Sequence, residues 1–245
     1  MQSQSRLLLI GGLILVVGLL VLFPARVAYR WIVPANVQLA SIEGSLWHGS
    51  AAEASIGGVY LRDLQWRFRP TALFTGGIGY AIEARPSAGF IESNIKIGIT
   101  GSVTASDLNA SIPLRLLETA TRTPGLTGSM SAQFQKLKVD DGIPVAADGF
   151  LEVDNLVIPA VHRYPIGGYR AEFFTQDSGV MSSVEDVSGM FELAGTLQVS
   201  TDGTYQFLAQ LAAKETTPEN VRQQLKFLGS PNARGQRELR LEGQL

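Results

Sequence analysis

Apolar residues at every second position constrain this chain more than any other feature. Phe191, Leu193, Leu197 and Val199 alternate with Glu192, Ala194, Thr196 and Gln198. Tyr205, Phe207, Ala209 and Leu211 repeat the pattern, as do Leu239, Leu241 and Leu245 against Glu238, Arg240, Glu242 and Gln244. Ile95, Ile97, Ile99 and Val103 form a face opposite Asn94, Lys96 and Thr100. Tyr60, Leu64, Trp66 and Phe68 form another, interrupted by Arg62, and Leu151, Val153 and Val157 face away from Glu152 and Asp154. Side chains of a strand point alternately to its two faces, so this pattern predicts strands with one buried and one wet face.

Glycine punctuates the pattern. Gly-x-apolar opens strand-like segments at Gly44-Ser-Leu46, Gly101-Ser-Val103, Gly128-Ser-Met130, Gly149-Phe-Leu151, Gly195-Thr-Leu197, Gly203-Thr-Tyr205 and Gly243-Gln-Leu245. The spacing has no fixed period, which excludes a strict repeat array. Such glycines serve turns and bulges in a long antiparallel meander, or leave room on an inner face for a ligand or a curved sheet.

Helical signals are few. Thr217-Pro218-Glu219 reads as a helix start with Thr as cap and Pro in the first turn. Val221, Leu225 and Leu228 come next on one face, and Gly229 and Pro231 stop the helix. Pro70–Phe74 and Pro113–Ala120 are shorter candidates. Neither has the spacing of a helical crossover between parallel strands, so the sheet is expected to be antiparallel. The predicted fold class is mainly β: an N-terminal transmembrane helix, then a large antiparallel sheet, curled or jelly-roll-like, with a few short helices. Residues 1–33 form the anchor and interface helix, and 34–245 the β-rich domain. Thr121–Gly125 is a possible internal division.

The anchor rests on Leu7 to Phe23, an uninterrupted apolar run. Extended through Ala25 as a helix, it is roughly 28 Å long, close to the hydrocarbon core of a bilayer. A cleavage after Ala25 or Ala28 would put Phe23 or Arg26 where a signal peptidase needs a small residue, so the run reads as an uncleaved anchor. The helix is expected to continue past Pro24, with Trp31, Arg26 and Arg30 at the membrane interface. Basic residues on both sides, Arg6 against Arg26 and Arg30, leave its orientation open. The net charge of −2 includes these three cations, so the chain beyond the anchor is more acidic still. That balance argues against nucleic acid as a partner and gives no overall attraction to anionic headgroups.

Chemistry is sparse. Absence of cysteine removes disulfides, thiolate metal sites and a Cys nucleophile. The two histidines, His48 and His162, read as loop residues. The adjacent acids Asp140-Asp141 and Glu185-Asp186 read as solvated turn residues. Gly76-Gly77-Ile78-Gly79 precedes a strand and so lacks the setting of a phosphate loop. No catalytic, metal or cofactor residue is assigned, and the protein is read as not an enzyme. Trp47, Tyr60, Trp66 and Phe68 are the candidate partner- or ligand-contact residues, with Arg62, Arg67 and Arg69 around them.

Val37-Gln-Leu-Ala-Ser-Ile-Glu-Gly-Ser-Leu-Trp-His-Gly-Ser-Ala51 resembles the protein N family of the bacterial type II secretion system. Leu61-Arg-Asp-Leu-Gln-Trp-Arg-Phe-Arg-Pro70, Gly167-Gly-Tyr-Arg-Ala171, Leu228-Gly-Ser-Pro231 and Leu241-Glu-Gly-Gln-Leu245 continue the likeness. Gly-Ser-Leu-Trp-x-Gly is its most specific part. The resemblance implies a single-pass protein of a Gram-negative inner membrane, with its domain in the periplasm. It would be an accessory to the export of folded proteins, contacting other secretion subunits and the lipid around its anchor. The alternative is a periplasmic lipid or lipopolysaccharide module of the LptC or AsmA kind, holding an acyl chain in an apolar groove.

Overall fold

The computed structural model describes residues 11, 12, 18, 22–32, 37–86 and 88–245. Most of the Leu7–Phe23 run therefore lies outside the described residues. Among those described, no helix is long and apolar enough to cross a membrane.

Thirteen strands form one antiparallel sheet whose spatial order is the chain order. They are β1 (Val37–Gly44), β2 (His48–Ile56), β3 (Val59–Arg69), β4 (Gly77–Ala84), β5 (Phe90–Gly98), β6 (Val103–Pro113) and β7 (Thr127–Asp140). β8 (Ile143–Val157), β9 (Gly167–Gln176), β10 (Gly179–Gly189), β11 (Phe191–Ser200), β12 (Thr204–Ala213) and β13 (Arg237–Gln244) complete it. Period-two sequence joined by short turns yields a meander because each strand pairs with the one just made. This order corrects the jelly-roll-like expectation. A jelly roll pairs strands that are distant in sequence, and none pair here.

The sheet curls without closing, since β1 and β13 do not pair with each other. Its apolar face gathers three clusters. Ile42, Ala51, Ala54, Leu61, Leu64 and Ala84 form the first, over β1–β4. The second joins Ala132 and Phe134 of β7 to Ala147, Val180 and Val199 across β8, β10 and β11. Curling brings Ile143 of β8 against Gly203, in the turn between β11 and β12. The third, Ile166, Met190, Phe191 and Val221, seats the helix Glu219–Gln224 on one end of the sheet.

Strict alternation fails where single residues take the left-handed conformation. Asp63 has φ 50° and Ser41 φ 53°. Each turns its strand over, so Leu61 and Leu64 are buried on one face while Tyr60 stays 56% exposed on the other. The sequence face Tyr60–Leu64–Trp66–Phe68 is thereby corrected: Tyr60 does not belong to it. Asp107 (φ 52°) and Asn155 (φ 51°) sit at similar irregularities in β6 and β8. Asp and Asn tolerate this conformation better than most residues, which explains their presence inside strands.

Three other expectations are refined. β5 ends at Gly98, so Ile99 leaves its face for the turn before β6. The short segments at Pro70–Thr75 and Leu114–Leu117 are 3-10 turns, the second running into the helix Glu118–Thr121. β6 and β7 pair on either side of that connection, from Val103↔Val139 to Pro113↔Ser129. The helix Glu219–Gln224 begins one residue later than expected: Pro218 holds the cap position and Thr217 does not cap it. Its hydroxyl donates instead to the Met190 carbonyl, tying the helix to the sheet.

Gly149 takes φ 155° inside β8, and a Cβ there would collide with the Gln133 carbonyl and come within 2.6 Å of Phe134 Cα. Gly149→Ala is expected to cost about 1–3 kcal/mol through this conformation and collision. Urea unfolding of the variant measures it.

Candidate functional site

The Gly-Ser-Leu-Trp-His-Gly segment, residues 44–49, is the turn between β1 and β2. Gly44 turns the chain with φ 85°, and a Cβ there would lie 2.6 Å from the His48 carbonyl oxygen. The Ser45 amide donates to His48 O at 2.9 Å. The Ser45 hydroxyl accepts the amides of Trp47 (3.3 Å) and His48 (3.2 Å). Gly49 leaves room for the Trp66 ring, whose Nε1 donates to Ser45 O at 3.2 Å. Trp47 meets Phe68 edge-on at 4.8 Å between centroids, and Phe68 meets Tyr80 at 5.8 Å. Burial raises the Tyr80 phenol above its ordinary pKa. The motif thus assembles Trp47, Trp66 and Phe68 around one turn. Tyr60 lies toward the other end of β3, on the opposite face.

The chain reaches this turn from its N-terminal side. Leu46 N donates to Phe23 O at 3.0 Å, and Pro24 bridges Ser45. The expectation of one helix running through Pro24 is corrected here. Proline lacks an N–H and disfavours helical backbone before it, so the Phe23–Pro24 segment is extended. Helix α1 (Ala25–Ile32) starts afterwards and lies along the free edge of β1. Arg26 Nε donates to Ile42 O at 2.9 Å. The Tyr29 hydroxyl donates to Val37 O (3.2 Å) and accepts from Leu39 N (3.3 Å). Two side chains thereby satisfy edge groups of β1 that would otherwise invite another strand. Arg26 is accordingly engaged with the sheet rather than free at an interface. The side chains of Arg30 and Trp31 lie outside the described residues.

The remaining titratable candidates separate. His48 belongs to the β1–β2 turn and His162 to the connection after β8, at opposite ends of the strands. The Tyr164 amide donates to His162 Nδ1 at 3.3 Å. No group of three or more His, Asp or Glu able to hold a metal occurs among the described residues. Asp141 occupies the β7–β8 turn as expected, with φ 47°. Asp186 corrects the turn reading: it lies within β10, beside a bulge at Val187. Its carboxylate accepts Leu193 N at 2.7 Å and pairs with Lys214 Nζ at 2.6 Å. Burial opposes its charge, but the bonds from Lys214 and Leu193 prevail and hold its pKa below the ordinary value. Tyr169 is pushed up to about 12, chiefly by burial and further by the Asp186 charge. Lys214 is 28 residues from Asp186 in sequence, so no local pattern signals the pair.

A single open meander, met by its N-terminal segment at an aromatic turn, defines a class of non-barrel β protein. The family described as "Type II secretion system (T2SS), protein N" matches residues 35–240, and this chain belongs to it. The protein of that name from Vibrio cholerae serotype O1 (strain ATCC 39315 / El Tor Inaba N16961) is 24% identical over 97% of both chains. That of Aeromonas hydrophila is 26% identical over 93% of both. That of Pectobacterium carotovorum subsp. carotovorum is 24% identical over 91% of this chain and 90% of its own. No solved structure matches.

Asp186→Ala is expected to destabilise by about 1.5–3 kcal/mol, because the bonds of a charged group are lost. The contribution is full above the unfolded carboxyl pKa of about 4 and fades as pH falls through the lower folded value. The wild-type stability–pH curve should therefore drop more steeply below pH of about 4 than that of Asp186→Ala, as thermal unfolding can measure. Tyr29→Phe should speed hydrogen exchange at the Leu39 amide while leaving the β6–β7 amides unchanged.

Proposed function

We propose that the protein is a non-enzymatic accessory component of the type II secretion system. It would be held in the inner membrane by the Leu7–Phe23 run, with the β-sheet domain in the periplasm, and would act through contact with other subunits. The observation that carries this is the family match over residues 35–240, which spans the sheet except for part of its last strand. The separation of His48 from His162 supports a scaffold rather than a catalyst. The Trp47–Trp66–Phe68 turn is the proposed contact region, because a rigid aromatic cluster offers contact area at little entropic cost. Acyl-chain binding finds less support. The protein's own side chains fill much of the apolar face in three clusters, and a groove of about 560 Å³ has a polar lining that includes Gln198, Ser200, Thr204, Gln206 and Glu242.

Deleting the gene should reduce secretion of type II substrates, and the wild-type gene should restore it. A photocrosslinker at position 47 should capture another secretion subunit. Normal secretion in the deletion strain, with no subunit captured, would refute the reading. A periplasm-active reporter fused after Leu245 should be active, whereas a silent one would reverse the orientation.

A further inference from the structure

The two ends of the sheet differ. The turns β1–β2, β3–β4 and β5–β6 lie at the end where Phe23 and Pro24 enter. At that end Phe74 is 90% exposed and Ile99 is 92% exposed. They occupy neighbouring turns, because the strand residues beside them, Gly77 and Gly98, are paired. Behind them on the apolar face, Ile78, Ile97 and Val103 are adjacent cross-strand partners, all exposed. Folding leaves Phe74 and Ile99 on loop tips, where packing gains nothing from them.

Cations gather just behind the same turns on the polar face. Register places Arg69, Gly79, Lys96, Thr104 and Lys138 in one row across β3–β7. The next row holds Arg67 and Lys136, separated by Ala81, Asn94 and Ser106. None of these five cations forms an ion pair among the described residues. A groove of about 510 Å³ opens beneath the Pro70–Thr75 turn, its lining including Arg69, Lys96, Lys136, Thr71, Thr75 and Thr104. The chain's net charge is −2, yet these five cations share one corner of the sheet, with Asp148 of β8 as the acid across from Lys136.

We infer that this end of the sheet is a membrane-contacting surface: the Leu73-Phe74 and Ile99 turns enter the lipid interface, and Arg69, Lys96 and Lys136 engage anionic headgroups. The occupant is set by where the chain enters. The Leu7–Phe23 run ends at Pro24, which is bridged to the β1–β2 turn at this end of the sheet. Apolar tips backed by cations are the combination that binds an anionic bilayer surface. The inference rests on the proposal that Leu7–Phe23 lies in the bilayer, and it adds a second contact that holds the domain against the membrane.

The absence of cysteine permits a direct test. Single substitutions Phe74→Cys, Ile99→Cys and, as a control, Phe227→Cys are made in the full chain and labelled with a polarity-sensitive fluorophore. Phe227 is 91% exposed at the opposite end. Each protein is reconstituted into phosphatidylethanolamine–phosphatidylglycerol vesicles carrying brominated acyl chains. The expected result is blue-shifted, quenched emission at positions 74 and 99 and an aqueous spectrum at 227. Combining Lys96→Glu with Lys136→Glu should reduce quenching at 74 severalfold in these vesicles and leave it unchanged in phosphatidylcholine alone. Co-flotation with aqueous spectra at all three positions would overturn the membrane contact and leave the anchor standing. Failure to co-float would overturn both. Equal quenching of the charge-reversed and parent proteins in anionic vesicles would overturn the headgroup assignment.

Discussion

An open sheet always has two strands whose outer N–H and C=O groups lack neighbours, and the first of these edges is covered here. Along β1, Arg26 and Tyr29 of α1 reach three backbone groups and occupy the positions another strand would take. The same helix contributes Ala25 to the first core cluster, so covering the edge and packing the core are one event. Moving the helix away would expose both the β1 edge and the cluster of Ile42, Ala51 and Leu64. The position of α1 in turn fixes where the preceding chain meets the sheet, at the Ser45–Trp47 turn. Edge protection, core formation and the placement of the N-terminal segment thus depend on the same few contacts.

Much of this fold was legible in the sequence because strand periodicity is local. The β11, β12 and β13 alternations could be read directly, as could the antiparallel arrangement, which needs only short connections. The failures fall at residues that change the phase. Nothing in the composition around Ser41 or Asp63 marks them as left-handed, yet each reverses the faces beyond it. Ile99 continues the every-second-residue spacing of Ile95 and Ile97, although Gly98 and Gly101 place it in a turn. Jelly-roll and meander arrangements share the same strand pattern, so only spatial order separates them.

The site was partly legible. Trp47, Trp66 and Phe68 come together because Gly44 and Gly49 allow a tight turn to pack against an indole ring. Tyr60 alone falls on the other face of β3, because the left-handed Asp63 shifts the phase between it and Leu64. Asp186 was hidden for a different reason. Its bonds to Leu193 and Lys214 come from strands that become its neighbours only after folding, and adjacent acids alone suggest a wet turn. The cations of β3–β7 are scattered in sequence and become one patch only through the register of five strands.

The nearest-neighbour order of the sheet also bears on how the protein is made. Each strand finds its partner in the segment immediately before it, so no pairing must wait for a distant part of the chain. Most of these pairings close short turns, which lowers the entropic barrier to each step, the long connection before β13 being the main exception. A chain delivered from its N-terminus can therefore extend its sheet hairpin by hairpin as it emerges, beginning at the edge that α1 covers. The sheet then records the order of synthesis in space, and its leading edge remains the growing one until β13 is in place.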